Sequence, residues 1–116
     1  MTRSFDVPTT GGNAGALARR ELDSLADRVD HVTLAKLRLL VSELANRAVV
    51  NGNGVGISVS VTLSSSSIRA SVAEPGFGPS RRLDWALFLI SRMSDRWGMT
   101  PDIWFELDLP PRREAR

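Results

Sequence analysis

The chain has 116 residues, 42% of them hydrophobic and 24% charged, which is the composition of one ordinary globular domain. Because it contains no cysteine, disulfides and thiolate-bound metals are excluded. No apolar run is long enough to span a bilayer. We therefore expect a cytoplasmic protein with no membrane partner.

The formal net charge of +2 does not indicate a nucleic-acid-binding protein. Residues 112–116 hold three arginines and one glutamate, and this segment accounts for the whole excess. A surface that follows nucleic-acid phosphates needs basic residues clustered on one face, and no such cluster is visible. We expect no nucleic-acid partner. Residues 1–110 are predicted to form a single domain, and residues 111–116 a disordered tail of proline and arginine.

The first half of the chain predicts an edge strand followed by two helices. Polar and apolar residues alternate in the segment 3–8, which ends at a proline, and this is typical of an edge strand. Apolar residues spaced by three and four predict one helix over residues 16–29 and a second over 33–50. His31 is assigned to the loop before the second helix. The sequence NGNG ends that helix, because both residue types tolerate positive φ.

The second half predicts four strands and a third helix. Apolar and polar residues alternate over 55–63 and 68–74, which predicts an antiparallel hairpin. A helix over 81–93 and two short strands, at 95–99 and 102–109, follow. The order β-α-α-β-β-α-β-β predicts an α+β two-layer sandwich, with the helices on one face of a mixed, mainly antiparallel sheet.

The third helix is apolar almost all round and has more apolar surface than one sheet contact can bury. Two interpretations stay open. In one, Trp85, Phe88 and Leu89 form a partner-binding surface. In the other, the preceding loop and the last two strands cover this face, and its aromatic residues belong to the core with Trp97 and Trp104.

Four segments in chain order carry a resemblance to a known family: LLVSELANRAV, SVAEPGFGP, LISRMSDRWGM and IWFELDLP. Together they resemble the ATP-binding domains of the anti-sigma-factor serine kinases (RsbW type), members of the GHKL superfamily with the Bergerat fold. The resemblance covers nearly the whole chain. It implies a helix layer on a mixed sheet, with ATP and Mg²⁺ held between the second helix and the glycine-bearing loops.

In the first motif, the resemblance assigns the general base to Glu43. The family has a Mg²⁺-binding asparagine four residues later, but this chain has Arg47 there, and Asn46 lies about 100° around the helix. A guanidinium has no acceptor and cannot ligate a cation. Arg47 is instead predicted to form an i,i+4 ion pair with Glu43 at the surface. The alternative is that it contacts phosphate in place of Mg²⁺.

The other two family motifs also depart from the pattern. The family's Asp-x-Gly-x-Gly, whose Asp bonds the adenine amino group, corresponds here to Glu74, Gly76 and Gly78, with a longer carboxylate. The family's phosphate-cradling Gly-x-Gly at the start of the last helix corresponds to Asp84 followed by tryptophan and alanine. An acid at that point repels a triphosphate.

Because each nucleotide motif is altered, the resemblance implies a regulator that has lost or weakened ATP binding. It would act by binding a sigma factor or an anti-sigma antagonist, without cofactor or metal. The alternative is an active ATP-dependent serine kinase that phosphorylates an anti-sigma antagonist, with ATP and Mg²⁺ as cofactors. A homodimer also stays open.

Overall fold

The structure, a computed structural model, describes residues 1–50, 56–73 and 85–111. Its elements follow the predicted order, with one short 3-10 turn added. They are β1 (Thr2–Val7), α1 (Ala14–Glu21), the 3-10 turn (Asp23–Leu25), α2 (His31–Val50), β2 (Ile57–Leu63), β3 (Ser67–Ala73), α3 (Trp85–Met93), β4 (Arg96–Gly98) and β5 (Ile103–Asp108). Within the described ranges, no helix combines the length and the apolar character that crossing a membrane requires.

The five strands form one sheet in the order β1-β2-β3-β5-β4, with β1 at an edge as predicted. Each pairing between neighbouring strands is antiparallel. The prediction of a mixed sheet is therefore wrong for the described strands. The reason is the position of β5, which lies between β3 and β4 and separates two strands that run in the same direction.

One face of the sheet is apolar and packs against the helices. Val59 is paired with Val72, and Val72 with Ile103, so alternate residues of three strands share this face. α2 contacts β3 and β5, while α1 contacts the edge strand β1 and α3 contacts the edge strand β4. Residues of both layers, among them Leu40 and Phe105, form one buried core. The fold is α+β and compatible with the predicted two-layer sandwich.

α2 begins two residues earlier than predicted because Asp30 caps it. The Asp30 carboxylate accepts a hydrogen bond from the Thr33 N–H at 3.0 Å, and the backbone carbonyl of Asp30 accepts one from the Leu34 N–H at 2.9 Å. These two bonds are those of a helix N-cap. His31 is consequently the first residue of α2, and its assignment to a loop is wrong.

The helix predicted over residues 16–29 is also shorter than expected. α1 ends at Glu21, and the chain continues as a 3-10 turn. Leu22, Leu25 and Val29 stay buried although the α-helix has ended. Their spacing of three and four residues therefore identified a core-facing side correctly, but it did not determine which kind of turn would place them there.

The outer face of the sheet carries polar side chains and Trp104. The Trp104 indole lies against Gly98 of β4, where an added Cβ would come within 2.6 Å of Nε1. The Arg69 guanidinium lies 4.1 Å from the centre of the same ring system. Trp104 is therefore partly buried on the outer face of the sheet, and its predicted place in the core is wrong.

Candidate functional site

The residues of the first predicted motif lie in the second half of α2, but in three different environments. Asn46 is exposed, Glu43 is half-buried and Arg47 is buried, with 8% of its surface exposed. Arg47 is the one charged side chain that is buried in the described part of the chain. The prediction of a surface position is wrong because Arg47 follows the fully buried Leu40 by seven residues, which places both on one side of the helix.

The predicted ion pair between Glu43 and Arg47 does not form. The described ion pairs lie elsewhere: between β1 and α1, between the 3-10 turn and α2, and on the outer face of β3, β4 and β5. Between described residues, no group of three or more histidine, aspartate and glutamate side chains is placed to hold a metal ion. A buried guanidinium at position 47 adds no oxygen ligand of the kind that Mg²⁺ requires.

Asn46 packs against the beginning of α1. A Cβ added to Gly15 would lie 2.8 Å from the Asn46 Oδ1 and 3.1 Å from its Nδ2. The amide group therefore occupies the space that the missing side chain of Gly15 leaves open. Sequence reasoning missed this contact, and its only signal was a glycine between two alanines at the start of the first helix.

The residues of the second and third motifs fall outside the described part of the chain. Glu74, Gly76, Gly78 and Asp84 all lie within 74–84, so their predicted roles are untested. The elements around them are described. β3 ends beside the start of β2, and α2 contacts both β3 and α3. α2, which carries the first motif, therefore contacts the strand before residues 74–84 and the helix after them.

The structure exposes the aromatic residues of α3. The exposed fraction is 62% for Trp85 and 37% for Phe88, whereas Leu87 and Ile90 are buried. The two aromatic rings stack, with centroids 5.8 Å apart and planes inclined by 23°. Their alternative assignment to the core is wrong, as it is for Trp97, which is 38% exposed on β4.

Two further residues lie on the same side of α3 as the stacked rings. The Arg92 guanidinium lies 5.4 Å from the centre of the Phe88 ring, and Leu89 is half-buried. At 100° per residue, these four positions fall within an arc of about 100° around the helix axis. We call the surface formed by Trp85, Phe88, Leu89 and Arg92 the α3 aromatic surface.

An open cavity of about 430 Å³ lies at the end of the molecule where α2 begins. The cavity is lined by Asp30, by Leu63 at the end of β2 and by Leu109 just after β5, among other residues. Of the predicted site residues that the structure describes, none lines it.

No protein-family model matches this sequence, and no curated protein matches it. Membership of the GHKL superfamily consequently stays a prediction that rests on the four quoted segments.

Proposed function

We propose that this chain is a protein-binding regulator of the anti-sigma-factor kind, with a Bergerat-like domain whose nucleotide motifs have degenerated. It binds a sigma factor or an anti-sigma antagonist through the α3 aromatic surface, and this binding does not depend on ATP or Mg²⁺. The observation that carries the proposal is the exposure of the stacked Trp85 and Phe88 side chains on the helix that follows residues 74–84.

Exposed aromatic residues of this kind favour protein binding on physical grounds. A partner that covers this surface would bury the exposed 62% of Trp85 and 37% of Phe88, and aromatic residues are frequent binding hot spots. Arg92 adds a guanidinium beside the Phe88 ring. The surface therefore fits a partner with an apolar pocket bordered by a carboxylate, since arginine pairs well with carboxylates.

The first motif supports the part of the proposal that concerns ATP. Where the family has an oxygen ligand for Mg²⁺, this chain has the buried cation Arg47. An active kinase would have to hold its metal without that ligand. This observation favours the regulator over the kinase.

The proposal is tested by measuring the affinity of the purified chain for sigma factors and anti-sigma antagonists of its source organism. We expect a partner to bind, and the double variant W85A/F88A to bind at least about tenfold more weakly, since hot-spot residues contribute 2 kcal/mol or more, about thirtyfold. Leu39→Ala is the matched control, because it removes a partly exposed apolar side chain from a different helix.

Thermal unfolding followed by circular dichroism checks that the variants are folded. Because Trp85 and Phe88 are exposed, the double variant should melt close to the wild type. The proposal is overturned if W85A/F88A binds as tightly as the wild type, or if neither class of partner binds.

A further inference from the structure

β1 stands at one end of the strand order, and β2 is its neighbour in the sheet. At the start of β1, the Met1 amino group donates to the Leu63 carbonyl at 3.2 Å, and the Leu63 N–H donates to the Met1 carbonyl at 2.8 Å. These two residues form a hydrogen-bonded pair, and in an antiparallel ladder such pairs recur at every second residue. The backbone groups of Arg3, Phe5 and Val7 consequently point towards β2.

The residues between them turn their backbone groups to the open edge of β1. Thr2, Ser4 and Asp6 each present one N–H and one C=O there, and among the residues that the structure describes none forms a hydrogen bond with these groups. Natural proteins often protect such an edge with a bulge, a proline or a lysine. β1 has six consecutive pairings without a bulge, and its segment Thr2–Val7 contains neither proline nor lysine. The edge is therefore ready to pair with a further strand.

The helix layer beside this edge is partly apolar. α1 contacts β1, and the Arg3 guanidinium donates to the Glu21 carboxylate of α1 at 2.9 Å. This ion pair neutralises the one charge that β1 directs towards the helices. Leu17 precedes Glu21 by four residues, so it lies on the same side of α1. Leu17 and Phe5 are both half-buried, and an apolar side chain placed opposite Phe5 would cover their exposed parts.

We propose that the β1 edge binds an extended segment of a partner protein as a sixth, antiparallel strand of the sheet. The occupant is a strand because the edge offers backbone donors and acceptors at alternate residues, a pattern that another extended backbone matches. The antiparallel direction gives the more stable pairing. The side chains define the segment further: an apolar residue opposite Phe5 faces the helices, and a lysine or arginine opposite Asp6 pairs with that exposed carboxylate.

This site goes beyond the proposed function because it lies at the other edge of the sheet. α1 flanks the edge strand β1, whereas α3 contacts the opposite edge strand β4. Variants of the α3 aromatic surface should therefore leave binding at β1 unchanged, and W85A/F88A serves as the control variant.

The probe is the capped hexapeptide Val-Lys-Val-Thr-Val-Thr, whose lysine stands opposite Asp6 and whose first threonine stands opposite Ser4 in the antiparallel register. NMR spectroscopy of the isotope-labelled chain measures backbone amide exchange without peptide and with about 1 mM peptide. We expect the amides of Ser4 and Asp6 to exchange at least about threefold more slowly with peptide, because only the added strand bonds them. The amides of Arg3 and Phe5 should be protected in both states, since they are bonded to β2.

Ser4→Pro removes an edge-facing N–H at the middle of β1. The ladder with β2 does not use this N–H, and proline is tolerated on an edge strand where its nitrogen faces solvent. We expect Ser4→Pro to bind the peptide at least about tenfold more weakly, because one backbone bond is lost and one carbonyl of the peptide is left unpaired. Ser4→Ala is the matched control, since it keeps the N–H and should bind like the wild type. Thermal unfolding checks that both variants are folded.

A pair of modified peptides tests the same bonds without changing the protein, so it stays decisive if Ser4→Pro does not fold. N-methylation of the first threonine blocks an N–H that points towards β1 and should weaken binding at least about tenfold. N-methylation of the valine before it, which stands opposite Phe5, alters an N–H that points away from β1. This second peptide should bind like the unmodified one.

Three results would overturn the site. These are unchanged exchange of the Ser4 and Asp6 amides with peptide, equal binding of the two methylated peptides, and amides that are already protected in the free chain as its concentration rises, which would assign the edge to a second copy. A wild type that binds the peptide but neither a sigma factor nor an antagonist would reject the proposed function and leave this inference intact.

Discussion

The side-chain amide of Asn46 packs so closely against Gly15 that a Cβ added there would lie 2.8 Å from the Asn46 Oδ1. This contact joins α1 to α2, and it accounts for an asparagine that the sequence alone placed near a degenerate metal site. Asn46 is thus engaged in helix packing. It lies one residue before the buried Arg47.

We expect Gly15→Ala to lower the free energy of unfolding by about 0.5–1 kcal/mol, because the new methyl group displaces Asn46. In an Asn46→Ala background, the same change should instead raise stability by a similar amount, since alanine favours a helix over glycine by about 1 kcal/mol. Urea denaturation of the four proteins in this double-mutant cycle measures the free energy of unfolding of each. If Gly15→Ala changes stability by the same amount in both backgrounds, the packing contact between Gly15 and Asn46 does not exist.

The local elements of the fold could be predicted, and the long-range arrangement could not. Hydrophobic periodicity depends on neighbouring residues, and it identified α2, the β2–β3 hairpin and the order of the elements. The insertion of β5 between β3 and β4 depends on pairings across many residues of chain. No spacing in the sequence specifies it, which is why the predicted mixed sheet is wrong.

The candidate site was less predictable than the fold because burial is a property of the packed layers. The pattern placed Glu43 and Arg47 on one helix face, but it could not indicate that position 47 would be enclosed while position 43 stayed half-buried. The sequence of a helix that is apolar on all sides also does not indicate whether neighbouring elements cover its second face. Trp85 and Phe88 were therefore ambiguous until the neighbouring elements were placed.

The N-cap of α2 predicts a pH-dependent contribution to stability. Burial acts to raise the pKa of Asp30, but hydrogen bonds from the hydroxyl and N–H of Thr33, and from other backbone N–H groups, outweigh it and lower that pKa below its ordinary value of 3.8. A lowered pKa in the folded state stabilises the protein above pH 3.8, and the stabilisation is lost as the pH falls through the folded-state pKa.

We expect Asp30→Ala to lower the free energy of unfolding by about 1 kcal/mol at pH 7, because the cap is lost. The difference from wild type should shrink as the pH falls below 3.8. Urea denaturation at several pH values measures it, with Asp27→Ala, which changes an exposed carboxylate three residues earlier, as the control. A difference that is constant across this range would contradict the capping role.

Burial of Arg47 predicts a large effect on stability. Arg47→Ala removes a packed side chain from the interior and a positive charge from the last turn of α2, where the helix dipole favours cations. We expect the free energy of unfolding to fall by about 2–4 kcal/mol. Arg38→Ala is the matched control, because Arg38 forms a half-exposed ion pair with Asp23 and should contribute less than about 1 kcal/mol. Equal losses of stability in Arg47→Ala and Arg38→Ala would contradict the buried position of Arg47.

The altered motifs predict that Mg²⁺-ATP does not bind at micromolar concentrations. The residue at the family's metal-ligand position is an arginine, which supplies no oxygen to the ion. Isothermal titration calorimetry of the purified chain with ATP and Mg²⁺ should show no saturable heat in this range. Saturable binding with a dissociation constant near ~10 μM, or about −6.8 kcal/mol, would contradict the prediction.

We propose that the chain acts by binding a partner protein through α3 and without nucleotide. The most direct measurement is the dissociation constant for the sigma factor or antagonist, determined with and without Mg²⁺-ATP for the wild type and for W85A/F88A. We predict the same affinity with and without nucleotide, and at least about tenfold weaker binding by the variant in both conditions. Binding that requires Mg²⁺-ATP, or that is unchanged in W85A/F88A, would contradict the claim.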